Sequence, residues 1–213
     1  MSPTDAPLSP RRRQLLEAAV QVVAAGGLRG LTHRAVDARA GLPPGTCSAY
    51  LRTRAALVHA LAQHVATGLT DDVEALARRL ATRPGDPTFA GAQVSDLFAG
   101  WLRDPDVVLA RLELTLEAAR DDELAAAFAQ WRIRLLDVVE EVVSRSRDGD
   151  TRTRAEAVVA ALEGVLLSAL AQPARRRRAF VTRTVDTVLT AFAESLGRPD
   201  RAGSCTGSTS LES

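Results

Sequence analysis

The stretch that decides the fold is Thr32–Arg54, which reads THRAVDARAGLPPGTCSAYLRTR. Thr32 is a good N-cap for a first short helix, since its hydroxyl can accept a hydrogen bond from an otherwise unpaired backbone N–H. Gly41 stands where that helix must stop and turn with a positive φ. Pro44 suits the first turn of a second helix, because its missing N–H costs nothing there. The spacing therefore predicts two short helices joined by a tight turn.

Such a pair of helices is either a helix-turn-helix, whose second helix enters the major groove of DNA, or a helical hairpin in an ordinary bundle. The distribution of charge favours the first interpretation. The formal net charge of the chain is only +1, but residues 1–55 carry eight arginines and three carboxylates, while the remainder carries more acids than bases. A cationic module joined to a mildly acidic body is typical of a protein that binds nucleic-acid phosphates.

The rest of the chain predicts helices only. Hydrophobic residues make up 46% of the sequence and aromatic residues only 4%, so that alanine, leucine and valine must fill the core. We predict an all-α fold of nine helices, with a three-helix domain at 9–54 and six further helices in a second domain at 55–196. Those six are expected at 55–80, 88–102, 105–119, 121–147, 152–171 and 175–196. Residues 1–8 and 197–213 are expected to be a disordered start and a flexible tail.

The sequence gives no support for catalysis, metal binding or membrane insertion. It contains no GxSxG, HExxH, Walker or GxGxxG motif. Its three histidines, His33, His59 and His64, have no obvious nucleophile near them, and Cys47 and Cys205 have neither metal nor disulfide spacing. No apolar run is long enough to cross a membrane, and no signal peptide precedes the first helix. We expect a cytoplasmic protein that is not an enzyme and has no cofactor, metal or membrane partner.

Four motifs between residues 11 and 60 occur in a recognisable order. They are Gly27–Thr32 (GLRGLT), Ala40–Leu42 (AGL), the pair Gly45-Thr46, and a segment from Tyr50 to Leu57 (YLRTRAAL). Together with the helix count, they resemble the TetR family of bacterial transcription regulators. The chain departs from the family pattern where Pro43 replaces a serine that caps the recognition helix, and where Cys47-Ser48 replaces a leucine-tyrosine pair. These departures leave open a second class, a helical ligand-binding or scaffold protein without DNA binding.

The resemblance implies phosphate contacts from the second helix and base readout from the third. Arg34 is expected to reach a guanine edge or a phosphate, and Ala49 a thymine methyl. Tyr50 is expected to bind a phosphate, and Arg52 and Arg54 to clamp the DNA backbone. The full set of candidate DNA-binding residues is Thr32, His33, Arg34, Pro44, Gly45, Thr46, Ser48, Ala49, Tyr50, Arg52 and Arg54.

The resemblance also implies that the second domain binds a small-molecule effector and forms a homodimer through helices 152–171 and 175–196. The implied function is a ligand-responsive transcriptional regulator, expected to be a repressor, that binds a pseudo-palindromic operator. The candidate effector-binding residues are three aromatic walls and four charged groups. They are Trp101, Phe128 and Trp131, with Glu113, Glu117, Arg134 and Glu163.

The two possible roles of Arg34 can be separated by binding measurements. If Arg34 reads a guanine edge, Arg34→Ala should relax discrimination at one operator position, by about 1–3 kcal/mol for a bidentate contact. Competition binding against single-base variants of the operator measures this loss. Equal weakening on the operator and on random DNA would show that Arg34 contacts only phosphate.

Overall fold

The computed structural model describes residues 8–143 and 151–196, and this part of the chain contains nine α-helices and no strand. The predicted all-α fold is therefore confirmed. The predicted disorder at the two ends falls on residues outside the described ranges, apart from Leu8, which packs half-buried against the core. The helices are α1 (Pro10–Gly30), α2 (His33–Ala40), α3 (Thr46–Tyr50), α4 (Arg54–Leu80), α5 (Pro87–Trp101), α6 (Asp106–Ala118), α7 (Asp122–Val143), α8 (Thr151–Leu170) and α9 (Ala174–Leu196).

Side-chain caps set where several helices begin. Each capping oxygen accepts a hydrogen bond from a backbone N–H that has no partner within its helix. The predicted cap of α2 is present, since the Thr32 hydroxyl accepts from the Ala35 N–H at 3.1 Å. Ser9, Thr53 and Asp86 cap α1, α4 and α5 in the same way.

Helix α1 is interrupted at Gly27, where φ is 63° and ψ is −178°. Only glycine adopts this combination readily. The regular part of the helix therefore ends here, as the glycine pair at 26 and 27 predicts, and Leu28–Gly30 forms a separate turn that leads into α2.

Among the described residues, two large apolar cores and one small cluster between α7 and α8 (Leu136, Ala155 and Val159) hold the helices together. The first joins α1, α2, α3, α4, α6 and α7, and includes Leu15, Leu61 and Leu114, each fully buried. The second joins α5, α8 and α9, with Val108 contributed by α6. Because the first core runs from α1 to α7 without a gap, packing does not divide at residue 54, where the two predicted domains meet. The long helix α4 packs on α1 and on α7, and so belongs to both.

Within residues 8–143 and 151–196, no helix combines the length and apolar character that crossing a bilayer requires. The same residues contain no group of three or more His, Cys, Asp or Glu side chains placed to hold a metal ion.

Candidate nucleic-acid interface and effector groove

Helices α2 and α3 form a compact helix-turn-helix with an inner and an outer side. Gly41 turns the chain in the left-handed region, with φ 66° and ψ 34°. Val36, Cys47 and Leu51 are buried against the first core. The outer side leaves exposed Arg34, Ala49, Tyr50 and Arg52. These four of the predicted DNA-binding residues therefore face solvent from adjacent turns of one small unit.

The two short helices are joined through Asp37, a buried carboxylate that the sequence analysis did not single out. One oxygen accepts from the Gly45 N–H at 2.8 Å, and the other accepts from the Cys47 N–H at 2.7 Å. The side chain is only 2% exposed. Asp37 thus caps α3 from inside α2 and takes the place of the capping serine that Pro43 replaces. The available signal was an acidic residue next to Val36 on a short helix, because such a charge needs a partner once it is buried.

The start of α3 differs from the prediction at three residues. Pro44 lies in the turn before the helix, because Gly45 is the N-cap, with φ 92°. The hydroxyl of Thr46 donates to the Pro43 carbonyl at 2.6 Å, and that of Ser48 donates to the Gly45 carbonyl at 2.9 Å. These two hydroxyl protons, which were expected to meet phosphate or base, are used inside the turn and the helix.

His33 and Arg54 form hydrogen bonds with the protein's own backbone, while their contacts with phosphate stay predictions. The His33 ring lies 2.6 Å from the Leu51 carbonyl, through Nε2. The Arg54 guanidinium donates to the carbonyls of Leu28 and Leu31. The last carbonyls of a helix have few donors within the helix, and the Arg54 guanidinium acts as a donor to these two. Both side chains therefore help to hold the frame of the helix-turn-helix, and Arg52 and Arg54 are both exposed at its exit.

Cys47 is fully buried and packs in the first core. Burial raises the pKa of its thiol to about 11, and the nearby negative charge of Asp37 acts in the same direction. Because the reactive species is the thiolate, this thiol is unreactive at neutral pH.

The structure disperses the charged residues that were predicted to line one effector pocket. Glu113 accepts from the Leu28 N–H at 3.2 Å, and Glu117 is exposed on α6. Arg134 forms a bidentate pair with Glu74, which lowers the pKa of that carboxyl. Glu163 bridges two arginines of α6 and α7 at 3.1 and 3.2 Å. Each of these four groups thus has a partner or faces solvent, and the structure does not bring them together in one pocket.

Two of the three predicted aromatic walls belong to the first core. Phe128 and Trp131 are 8% and 6% exposed, and their rings pack edge to face with centroids 6.4 Å apart. The guanidinium of Arg111, itself buried, lies 5.4 Å from the centre of the Trp131 ring. These aromatic side chains fill space between helices, as buried aromatics most often do.

Trp101, one of the seven predicted residues, lines a groove that lies between α4 and α5 and has a volume of about 480 Å³. The indole N–H donates to Asp72 at 2.7 Å, and the ring stacks on Phe98 with centroids 5.5 Å apart. The indole is therefore held in place while it stays half-exposed. The other residues that line the groove are Asp72, Arg79, Gln93, Asp96, Leu97 and Gly100; we call this site the α4–α5 groove.

Comparison with known families identifies the second half of the chain. Residues 84–194 match the family described as tetracyclin repressor-like, C-terminal domain. The match covers more than half of the chain. The chain belongs to the TetR family. The helix-turn-helix and the nine helices found in residues 8–143 and 151–196 have the arrangement of the transcriptional regulators in this family.

Solved structures of TetR-family proteins share this fold. A protein from Mesorhizobium loti named as a TetR-family transcriptional regulator aligns with a TM-score of 0.69 and 18% identity, over 87% of this chain and 96% of that chain. The multidrug binding protein EbrR, in complex with imidazole, aligns with a TM-score of 0.58 and 27% identity, over 83% of this chain and 96% of that chain. EbrR in complex with ethidium aligns with a TM-score of 0.53 and 29% identity, over 82% of this chain and 98% of that chain. No curated protein sequence matches the chain.

The capping role of Asp37 can be tested by stability and by thiol exposure. Asp37→Ala removes both acceptors and leaves two N–H groups unpaired, so we expect the free energy of unfolding to fall by about 1–3 kcal/mol. Urea denaturation measures this change. Asp37→Asn, which keeps one carbonyl oxygen, should give an intermediate loss.

A thiol reagent reports on the same cap locally. In a Cys205→Ser background, Cys47 should react slowly in the parent protein and measurably faster once Asp37→Ala loosens α3. Unchanged stability together with unchanged thiol reactivity would contradict the capping role.

Proposed function

We propose that this TetR-family regulator is a ligand-responsive repressor that binds a pseudo-palindromic operator as a homodimer. The observation that carries the proposal is the outer side of the helix-turn-helix. Arg34, Tyr50 and Arg52 are exposed there, while Val36, Cys47 and Leu51, close by in the chain, are buried. A tyrosine that is 49% exposed at the end of α3, on the same unit as the exposed Arg34 and Arg52, suits contact with DNA phosphates and base edges.

The amino end of α1 extends this cationic surface. Gln14 donates to the Ala40 carbonyl at 3.0 Å, so the start of α1 lies beside the end of α2. Arg11 and Arg13 are exposed at that start. Cations are unfavourable beside the positive end of a helix dipole, and neighbouring DNA phosphates would offset this repulsion. Each phosphate contact should add about 0.9 to the slope of log K against log salt concentration.

The alternative, a helical scaffold without DNA binding, rested on the unusual residues around α3. The structure gives these residues a local explanation. Asp37 supplies the cap that Pro43 cannot, and Cys47 fills the core in place of a larger side chain. The departures from the family pattern are therefore compatible with an intact recognition unit.

The outward faces of α8 and α9 suit a symmetric dimer. On α8, Ala157, Ala160, Gly164 and Leu167 are exposed at intervals of three and four residues, so they share one face. Leu167 is 56% exposed at the end of this stripe. On α9, the exposed residues include Ala179, Thr182, Thr187, Thr190 and Ala191, together with the charged Arg183 and Asp186. Small side chains on both helices allow close helix approach, which a two-fold bundle of α8 and α9 requires.

One substitution pair tests the dimer and its link to DNA binding. Leu167→Glu places a charge in the proposed interface, so analytical ultracentrifugation should find a single chain where the parent protein gives two. Leu116→Glu is the matched control, since Leu116 is 63% exposed on α6, away from α8 and α9.

Both variants are then compared on duplexes that the parent protein selects from random sequence. We expect Leu167→Glu to lose binding and Leu116→Glu to keep it. A parent protein that stays monomeric and selects no duplex at low salt would refute the proposed function.

For the effector, we propose a flat organic cation bound in the α4–α5 groove. The groove combines an aromatic ring with two carboxylates, Asp72 and Asp96, and an arginine, Arg79. Aromatic faces and carboxylates are the groups that attract organic cations. EbrR, a similar protein of the same fold, is known in complex with ethidium.

Ethidium itself serves as the probe, in the absence of DNA because it intercalates. Its fluorescence anisotropy should rise on titration with the parent protein, and Trp101→Leu should weaken this binding by about tenfold, or roughly 1.4 kcal/mol. The control is Arg134→Ala, which lies outside the groove and should bind ethidium as the parent protein does. Trp131→Leu is not a suitable control, because it would disrupt the core. Equal binding by Trp101→Leu and the parent protein would place the effector elsewhere.

A further inference from the structure

The segment Leu28–Leu31 joins the break in α1 to the cap of α2. It follows Gly27, whose backbone adopts φ 63° and ψ −178°, and it ends directly before Thr32. Its two leucines are buried, and the Leu31 N–H donates to the Leu28 carbonyl at 3.2 Å. The position of this turn therefore sets where α2, and with it the helix-turn-helix, lies relative to α1.

Two side chains of opposite charge, from helices outside the turn, hold the backbone of Leu28. Glu113 of α6 accepts from the Leu28 N–H at 3.2 Å. Arg54, the first residue of α4, donates to the Leu28 carbonyl at 2.6 Å and also to the Leu31 carbonyl. Hydrogen bonds to ionised groups are about twice as strong as neutral ones. Side chains from α4 and α6 thus add to the backbone bond between Leu28 and Leu31 in fixing the turn.

Gly27 is fitted to the Glu113 carboxylate as well as to the turn. A Cβ at position 27 would lie 3.1 Å from Oε2 of Glu113, closer than ordinary contact. The glycine therefore serves two purposes, since it permits the positive φ and leaves room for the carboxylate. The helices α1 and α6 pack against each other around this point.

We propose that Glu113 is a positioning residue for DNA binding, which acts from α6 on the start of α2 without touching DNA. The inference rests on the proposed function, since its readout is operator affinity. Loss of the carboxylate leaves the Leu28 N–H without its acceptor in a part-buried site. Because an unpaired buried N–H costs free energy, the turn then tends to move to a position where this N–H is paired or solvated. A displaced turn moves α2 and α3 away from the position in which α3 fits the major groove of DNA, while the phosphate-binding side chains remain present.

The experiment compares Glu113→Ala, Glu113→Gln and Glu113→Asp with the parent protein on a duplex that the parent selects from random sequence. We expect Glu113→Ala to weaken binding by about tenfold, which is the effect of one lost hydrogen bond of about 1.4 kcal/mol. Glu113→Gln retains an acceptor oxygen and should stay near the parent value. Glu113→Asp keeps the charge but is one methylene too short to reach the Leu28 N–H, so it should weaken binding. This variant tests the same hydrogen bond if Glu113→Ala folds poorly.

Salt dependence separates positioning from direct contact. The slope of log K against log salt concentration should be unchanged in Glu113→Ala, whereas Arg52→Ala should lower it by about 0.9 if one phosphate contact is lost. Glu117→Ala, on the exposed part of the same helix, is the matched control and should bind as the parent does. Amide hydrogen exchange at Leu28 should be faster in Glu113→Ala and Glu113→Asp than in the parent protein.

The outcomes distinguish this inference from the proposed function. If the parent protein selects a duplex and Glu113→Ala and Glu113→Asp bind it equally well, the positioning role is overturned and DNA binding stands. A changed salt slope in Glu113→Ala would also overturn it, because the residue would then act through the phosphates. If the parent protein selects no duplex, the proposed function itself fails.

Discussion

The helix-turn-helix depends on one buried carboxylate. Asp37 receives two backbone N–H groups from the start of α3, although it belongs to α2 and is only 2% exposed. A five-residue helix such as α3 has almost no stability of its own, because nucleation costs more than so few hydrogen bonds return. The carboxylate joins the two helices into one rigid piece. Its negative charge also interacts favourably with the positive end of the α3 dipole. The outward direction of Tyr50 and its neighbours follows from that attachment.

The same logic applies to the connection between the helix-turn-helix and the rest of the molecule. No linker separates the two parts, since the first core runs from α1 through α4 and α6 to α7. Arg54 and Glu113 reach from that body to the turn before α2. A change in the position of α4 or α6 therefore also shifts the helix-turn-helix, through packing and through these hydrogen bonds. This continuity provides a physical route by which a ligand among the middle helices could act on DNA binding.

The middle helices are arranged differently from what the family resemblance implied. Most of the charged groups that looked available in the sequence are paired across helices, as Arg134 is with Glu74 and Glu163 is with Arg111. Such pairs connect helices that the sequence places far apart. The groove at Trp101 stays open because its indole is anchored on Asp72 at one edge and on Phe98 at one face. That anchoring orders the ring before any ligand arrives, which reduces the entropic cost of binding.

Much of the fold could be predicted from the sequence, because it depends on local chemistry. Thr32 caps its own helix and Gly41 turns its own backbone, so both effects are visible within a few residues. The apolar spacing likewise indicated where the long helices lie. The roles of individual site residues could not be predicted in this way. Whether His33, Arg54 and Glu113 meet a ligand or the protein's own backbone depends on which groups lie within about 3 Å, and these come from residues 18 to 85 positions away. The amino-acid order alone determined helices, caps and the cationic front of the molecule. Only the tertiary structure decided which charges stay free, because burial and long-range hydrogen bonds exist only once the helices have packed.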